Sequence, residues 1–135
     1  MPVTDSQQPV ISINRDGGFL MNVQELEMAV RWKIPVVSLV MNNNSWESEK
    51  AYQKYFYGER YVEADITNSR LDRLMDLFGG KGFYVERVKD LPMAMDEALK
   101  TDVPTLIEIP VDPTELPYPA RAADVLKKKK PTYKG

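Results

Sequence analysis

The sequence predicts an α/β domain: a mainly parallel sheet with flanking helices. Three observations carry that prediction. Short β-branched runs alternate with helical apolar stripes, and each run closes on a turn-forming cluster such as Asp16-Gly17-Gly18 or Asn42-Asn43-Asn44. The length, 135 residues with 43% hydrophobic, suits one domain with a modest core. Strands alternating with helices are the pattern of parallel sheets joined by right-handed crossovers.

Residues 9–14, PVISIN, carry Val10, Ile11 and Ile13 and predict a short buried strand that Asp16-Gly17-Gly18 ends. A helix should follow: Asn22 with Glu25 three positions on forms a capping-box pattern, and Val23, Leu26 and Val30 line one face through to Lys33. The run IPVVSLVM, 34–41, has strand length and is stopped by NNNSW. Ser45 to Tyr57 is charged and aromatic and predicts the start of a helix, and YGERYVEADITN an irregular connection. Ser69 with Asp72 repeats the capping pattern before a stripe of Leu71, Leu74, Met75 and Phe78 that Gly79-Gly80 terminates. GFYVERV predicts a third strand. Asp90 and Pro92 open a helix whose apolar side includes Leu91, Met95 and Ala98, and PTLIEIPV predicts a fourth strand. Beyond Pro110 the proline-rich stretch predicts an extended arm. The domain is expected over 1–120, with a basic, disordered tail over 121–135.

Composition narrows the chemistry. The chain has no Cys and no His, which removes disulfides, thiolate sites and the commonest general base. Any metal must be held by oxygen, which favours a hard cation such as Mg²⁺ or Ca²⁺. A net charge of -2 argues against nucleic acid as the main partner, and no segment approaches the length of a membrane span. The opening MPVTDSQQPV has neither a basic leader nor an apolar signal core, so a cytoplasmic protein is the expectation.

In an open α/β sheet, ligands gather outside the carboxyl ends of strands. The first strand delivers Asp16 there and the second delivers Asn42, Asn43, Asn44 and Ser45. Side by side, they would offer a carboxylate and an amide oxygen to one cation. Gly17 and Gly18 would let backbone approach a diphosphate bridged by Mg²⁺. The residues alone leave a second reading open, because Asp-Gly-Gly and Asn-rich turns are common ways to end a strand.

The segment RDGGFLMNVQELEMAVRWKIPVVSLVMNNNSW resembles the thiamine-diphosphate-binding motif of thiamine-dependent enzymes, a Gly-Asp-Gly followed, after a helix and a strand, by Asn-Asn. Asp16 and Asn43 stand 27 positions apart, a separation that fits the motif. YQKYFYGERYVEADITN, LFGGKGFYVERV and PTLIEIPVDPTELPYPA are similar to the carboxyl-terminal domain of the acetolactate synthase group, and SWESEKAYQ is also similar to sulfoacetaldehyde acetyltransferases. The resemblance implies that Asp16 and Asn43 ligate Mg²⁺ through side-chain oxygens and Ser45 through its backbone carbonyl. Gly17 and Gly18 would lie along the diphosphate, and Asn44 and Trp46 would border it. The cofactor would carry the carbanion chemistry on a 2-keto acid, with decarboxylation and carboligation the expected reactions.

No catalytic residue is expected within this chain, because the family's activating glutamate lies in a different, pyrimidine-binding domain. The same resemblance implies an amino-terminally truncated domain that lacks its first strand and helix, exposes apolar sheet surface, and self-associates or pairs with a chain carrying the missing parts. The alternative is a non-catalytic module that folds or oligomerises without cofactor. Two positions depart from the family pattern: Arg15 and Glu47 stand where glycines are usual, each placing a charge near the diphosphate space.

Other clusters read as packing. Tyr52, Tyr55 and Phe56 are expected to cover the core or a subunit contact, and Met75, Met93 and Met95 to fill core gaps. At least two of Asp65, Asp72 and Asp76 are expected on a solvated helix face.

Overall fold

The computed structural model describes residues 9–67 and 70–117. Four strands, β1 (Val10–Arg15), β2 (Val36–Asn42), β3 (Lys81–Tyr84) and β4 (Thr105–Pro110), form one sheet in the order β1-β2-β4-β3. All neighbouring strands are parallel. The helices are α1 (Asp16–Leu20), α2 (Glu25–Arg31), α3 (Glu47–Phe56), α4 (Leu71–Phe78) and α5 (Leu91–Ala98), the last preceded by a 3-10 turn over Val88–Asp90. The expected α/β class and parallel sheet are both present.

Successive residues of a strand face opposite sides of the sheet, and the core divides accordingly. On one face Val40 and Leu106 pack with Phe19 of α1, Leu26 of α2, and Leu71 and Met75 of α4. On the other, Val37 and Ile107 pack with Val85 and with Ala94 and Ala98 of α5. Both faces of β4 are thereby covered, and Leu106 and Ile107 are fully buried.

Several local expectations are corrected. β1 is not a buried strand: Val10, Ile11 and Ile13 are exposed, Ile13 to 67%. Ile11 and Ile13 pair in register with Val37 and Leu39, which places them on the α5 side, and α5 packs on β4 rather than on β1. The helix expected from Asn22 is α2, which starts later, at Glu25, and a short helix that was not expected, α1, precedes it. Asp16 is already the first residue of α1, and Asn22 sits in the turn that follows, its N–H bonded to Phe19 O at 3.1 Å and its C=O accepting from Glu25 N at 3.0 Å. Because Gln24, at the start of α2, already has helical φ and ψ of -62° and -23°, no capping box forms there.

Ser69 lies outside the described residues, as do the tail and the end of the proline-rich arm. In the first turn of α4 the Asp72 N–H donates to Glu108 Oε2 on the sheet at 3.0 Å. Gly79 ends α4 as expected, in the left-handed conformation at φ 94°, with Gly80 N–H bonded back to Met75 O at 3.0 Å. β3 stops at Tyr84, short of the GFYVERV run. Met93, expected in the core, is exposed, and Tyr52, expected over the core or in a subunit contact, is exposed as well. Asp72 is buried, whereas Asp76 is exposed. Among the described residues no three acidic side chains gather to hold a metal, and no helix is long and apolar enough to cross a membrane.

Candidate cofactor site

β1 and β2 end side by side, with Arg15 paired to Met41 in register. Asp16 and the loop from Asn42 to Trp46 therefore leave the sheet at the same edge, as the sequence suggested. Asp16, at the head of α1, is fully buried, and Asn43 is 2% exposed.

Asn42 anchors the loop. Its Oδ1 accepts the Asn44 N–H at 3.0 Å, its Nδ2 donates to Glu108 Oε1 at 2.7 Å, and its backbone C=O accepts the Val111 N–H at 2.9 Å. These bonds hold Asn44 at φ 54°, a left-handed conformation that asparagine tolerates better than most residues. Asn44 itself is exposed at the turn.

The turn then presents two oxygens. Asn43 Oδ1 accepts from Ser45 Oγ at 3.0 Å, while Asn43 Nδ2 faces Glu47 Oε1 at 3.5 Å. Ser45 pairs with Asp65 in an isolated antiparallel bridge. The bonds of that bridge belong to its neighbours: Ile66 N–H donates to Asn44 O at 2.9 Å and Trp46 N–H donates to Ala64 O at 2.7 Å. In such a pair the central residue turns its own C=O to the opposite side. The Ser45 carbonyl thus points away from the 64–66 segment. The Asp16 carboxylate, the Asn43 amide oxygen and this carbonyl are all oxygens, the donor type that hard divalent cations take.

Trp46 packs on Gly17. A Cβ at Gly17 would lie 2.8 Å from the indole ring, so glycine is required for the contact. Gly18 has no such packing reason, since nothing stands within 4 Å of where its Cβ would be. It borders an open cleft of about 270 Å³ whose walls include Arg15, Gly17, Ser45, Trp46 and Glu47. A small residue beside open space leaves room for a ligand to lie along the backbone.

Two features of the site were not foreseen. Arg15 and Glu47, expected as separate intrusions, form an ion pair with Nη2 to Oε1 at 3.0 Å. Glu108, 2% exposed on β4, ties Asn42 to the start of α4. A lone carboxylate in the otherwise apolar run TLIEIP was the available signal for it. Nearby, Arg70 lies over the Tyr84 ring at 3.7 Å and grips Asp72 with Nε and Nη2, both at 2.8 Å. Burial pushes the Asp72 carboxyl up, but the Arg70 hydrogen bonds and charge outweigh it and hold its pKa below the usual value.

Fold and site together define an open-sheet α/β domain whose candidate site lies at the carboxyl ends of two adjacent parallel strands, where such sheets bind ligands. The chain belongs to the family described as thiamine pyrophosphate enzyme, C-terminal TPP binding domain, which matches residues 2–109. It is 30% identical over 119 residues to the acetolactate synthase large subunit of Porphyra purpurea, covering 87% of this chain and 20% of that protein. It is also 30% identical to the sulfoacetaldehyde acetyltransferase of Castellaniella defragrans, covering 79% of this chain and 19% of that one. Among solved structures, the thiamine diphosphate-dependent 4-hydroxybenzoylformate decarboxylase of Rhodococcus jostii RHA1 superposes with a TM-score of 0.74 at 27% identity, over 78% of this chain and 20% of that protein. The chain therefore spans about a fifth of the length of these relatives.

Proposed function

We propose that this chain is the part of an acetolactate synthase-like enzyme that holds the diphosphate of thiamine diphosphate through Mg²⁺. Asp16 and Asn43 would ligate the metal through side-chain oxygens and Ser45 through its carbonyl. Gly17 and Gly18 would lie along the diphosphate, with Asn44 and Trp46 bordering it. The observation that carries the reading is the Ser45–Asp65 bridge, which turns the Ser45 C=O away from its pairing partner. When bound, the cofactor supplies the carbanion chemistry by which a 2-keto acid is decarboxylated or joined to an acceptor. The chain's own residues would hold the metal that neutralises the diphosphate, position it against the glycine-lined backbone, and cover one side with the Trp46 ring.

Decarboxylation or carboligation would need a pyrimidine-binding domain contributed by a partner chain or by further sequence, and the 2-keto acid and acceptor would be selected there. Chain alone, with pyruvate, Mg²⁺ and thiamine diphosphate, is expected to form no acetolactate. A second reading, a module that folds without holding the cofactor, draws on Arg15 and Glu47, two of the charged side chains that line the cleft. Calorimetry separates the two. Saturable binding of thiamine diphosphate that requires Mg²⁺ and is lost in Asp16→Ala supports the first, and no heat at millimolar ligand supports the second.

A further inference from the structure

We infer that Arg15 and Glu47 act as one unit at the lip of the cleft. Glu47 is the internal counter-ion of Arg15 and the acceptor that sets the Asn43 amide, and Arg15 is the charge that allows a polyanion to lie beside Glu47. The inference deepens the proposed function and rests on it.

The pair spans the two elements that build the site. Arg15 ends β1 and directly precedes Asp16, and Glu47 begins α3 directly after the Asn43–Trp46 loop. Their side chains meet at 3.0 Å, with Glu47 10% exposed and Arg15 40% exposed. A carboxylate so nearly withdrawn from water needs a partner, and removing that partner leaves a poorly solvated negative charge. Among the described residues lining the cleft, Arg15 is the one cation, beside the two carboxylates Glu47 and Glu49. Without it the charged side chains among the described lining residues, Glu47 and Glu49, are both negative toward an incoming diphosphate.

Glu47 has a second task. Its Oε1 faces Asn43 Nδ2 at 3.5 Å while Asn43 Oδ1 receives the Ser45 hydroxyl at 3.0 Å. Those two contacts fix which end of the amide is oxygen, and only the oxygen can ligate a cation.

The test is a double-mutant cycle on the full 135-residue chain, using Arg15→Ala, Glu47→Gln and both together. Gln keeps an oxygen acceptor for Asn43 and removes only the charge. In calorimetric titrations of thiamine diphosphate with Mg²⁺, Arg15→Ala is expected to weaken binding about tenfold beside Glu47 and about twofold or less beside Gln. In ligand-free thermal unfolding, Arg15→Ala is expected to lower Tm by about 3 °C beside Glu47 and to leave it unchanged in the Gln background. Equal losses in both backgrounds, on either readout, overturn the coupling. Tighter binding by Arg15→Ala overturns the role of Arg15 toward the anion. No binding by the wild-type chain, with the melts still coupled, overturns the functional reading and the anion role while leaving the ion pair as a purely structural unit.

Discussion

β1 and β4 are both six-residue parallel strands paired to β2, and both are rich in aliphatic side chains, yet they differ sharply in burial. In β4, Leu106 and Ile107 are fully buried because β4 has a strand on each side and helices over both faces. In β1, at the sheet edge, Ile13 is 67% exposed although its composition is no less apolar. Position in the sheet decides what an aliphatic residue contributes. The weakly packed strand is nevertheless the one that leads directly into the buried Asp16. The site is thus secured less by β1 itself than by polar bonds radiating from β2 and β4.

The largest expected effect lies in β4. Ile107→Ala should cost about 3 kcal/mol in urea unfolding, from lost burial and the cavity left behind. Next comes the tie between β4 and the loop: Glu108→Ala leaves the Asn42 amide and the Asp72 N–H without their acceptor. It should cost about 2 kcal/mol and weaken Mg²⁺-dependent cofactor binding, whereas Glu108→Gln should retain part of both, as melts and titrations would show.

A smaller effect is expected from acid. Asp72 has a depressed pKa in the fold, so its contribution to stability is present above the carboxyl's ordinary pKa, about 3.9, and is lost as pH falls through the lower folded value. Stability of wild type should therefore drop below about pH 4, and Asp72→Asn should flatten that limb of the pH profile. A wild-type profile matched by the variant down to the acid transition would contradict this assignment. The smallest effect lies on β1, where Ile13→Ala should change stability by less than about 0.5 kcal/mol. A loss comparable to that of Ile107→Ala would break the contrast between the two strands.

Much of this was legible in the residues. The alternation of β-branched runs and helical stripes was enough for a parallel sheet, and the polar clusters at Asp16 and Asn42–Ser45 marked the edge where the site stands. The resemblance of those segments to a known motif turned a turn-like pattern into a specific site. What was not legible depends on contacts between distant segments. The burial of β1 depended on where α5 comes to rest, 80 residues further on (Ile11 to Leu91). The Asp72 N–H in the first turn of α4 is met by Glu108, a buried carboxylate on β4 that lies 36 positions further along the chain. Arg15 and Glu47 were each visible as a charge in a tight place, but one cancels the other only once the fold brings β1 and α3 together.

The most direct measurement is residue-resolved NMR of the isotopically labelled chain titrated with thiamine diphosphate in the presence of Mg²⁺ and again in EDTA. With Mg²⁺, the amide signals of Gly17, Gly18 and the Asn43–Glu47 loop should shift saturably while those of β3 and α5 stay in place, and EDTA should reverse the shifts. Shifts that are absent, that persist in EDTA, or that gather on β3 and α5 would contradict a Mg²⁺-bridged diphosphate site at the ends of β1 and β2.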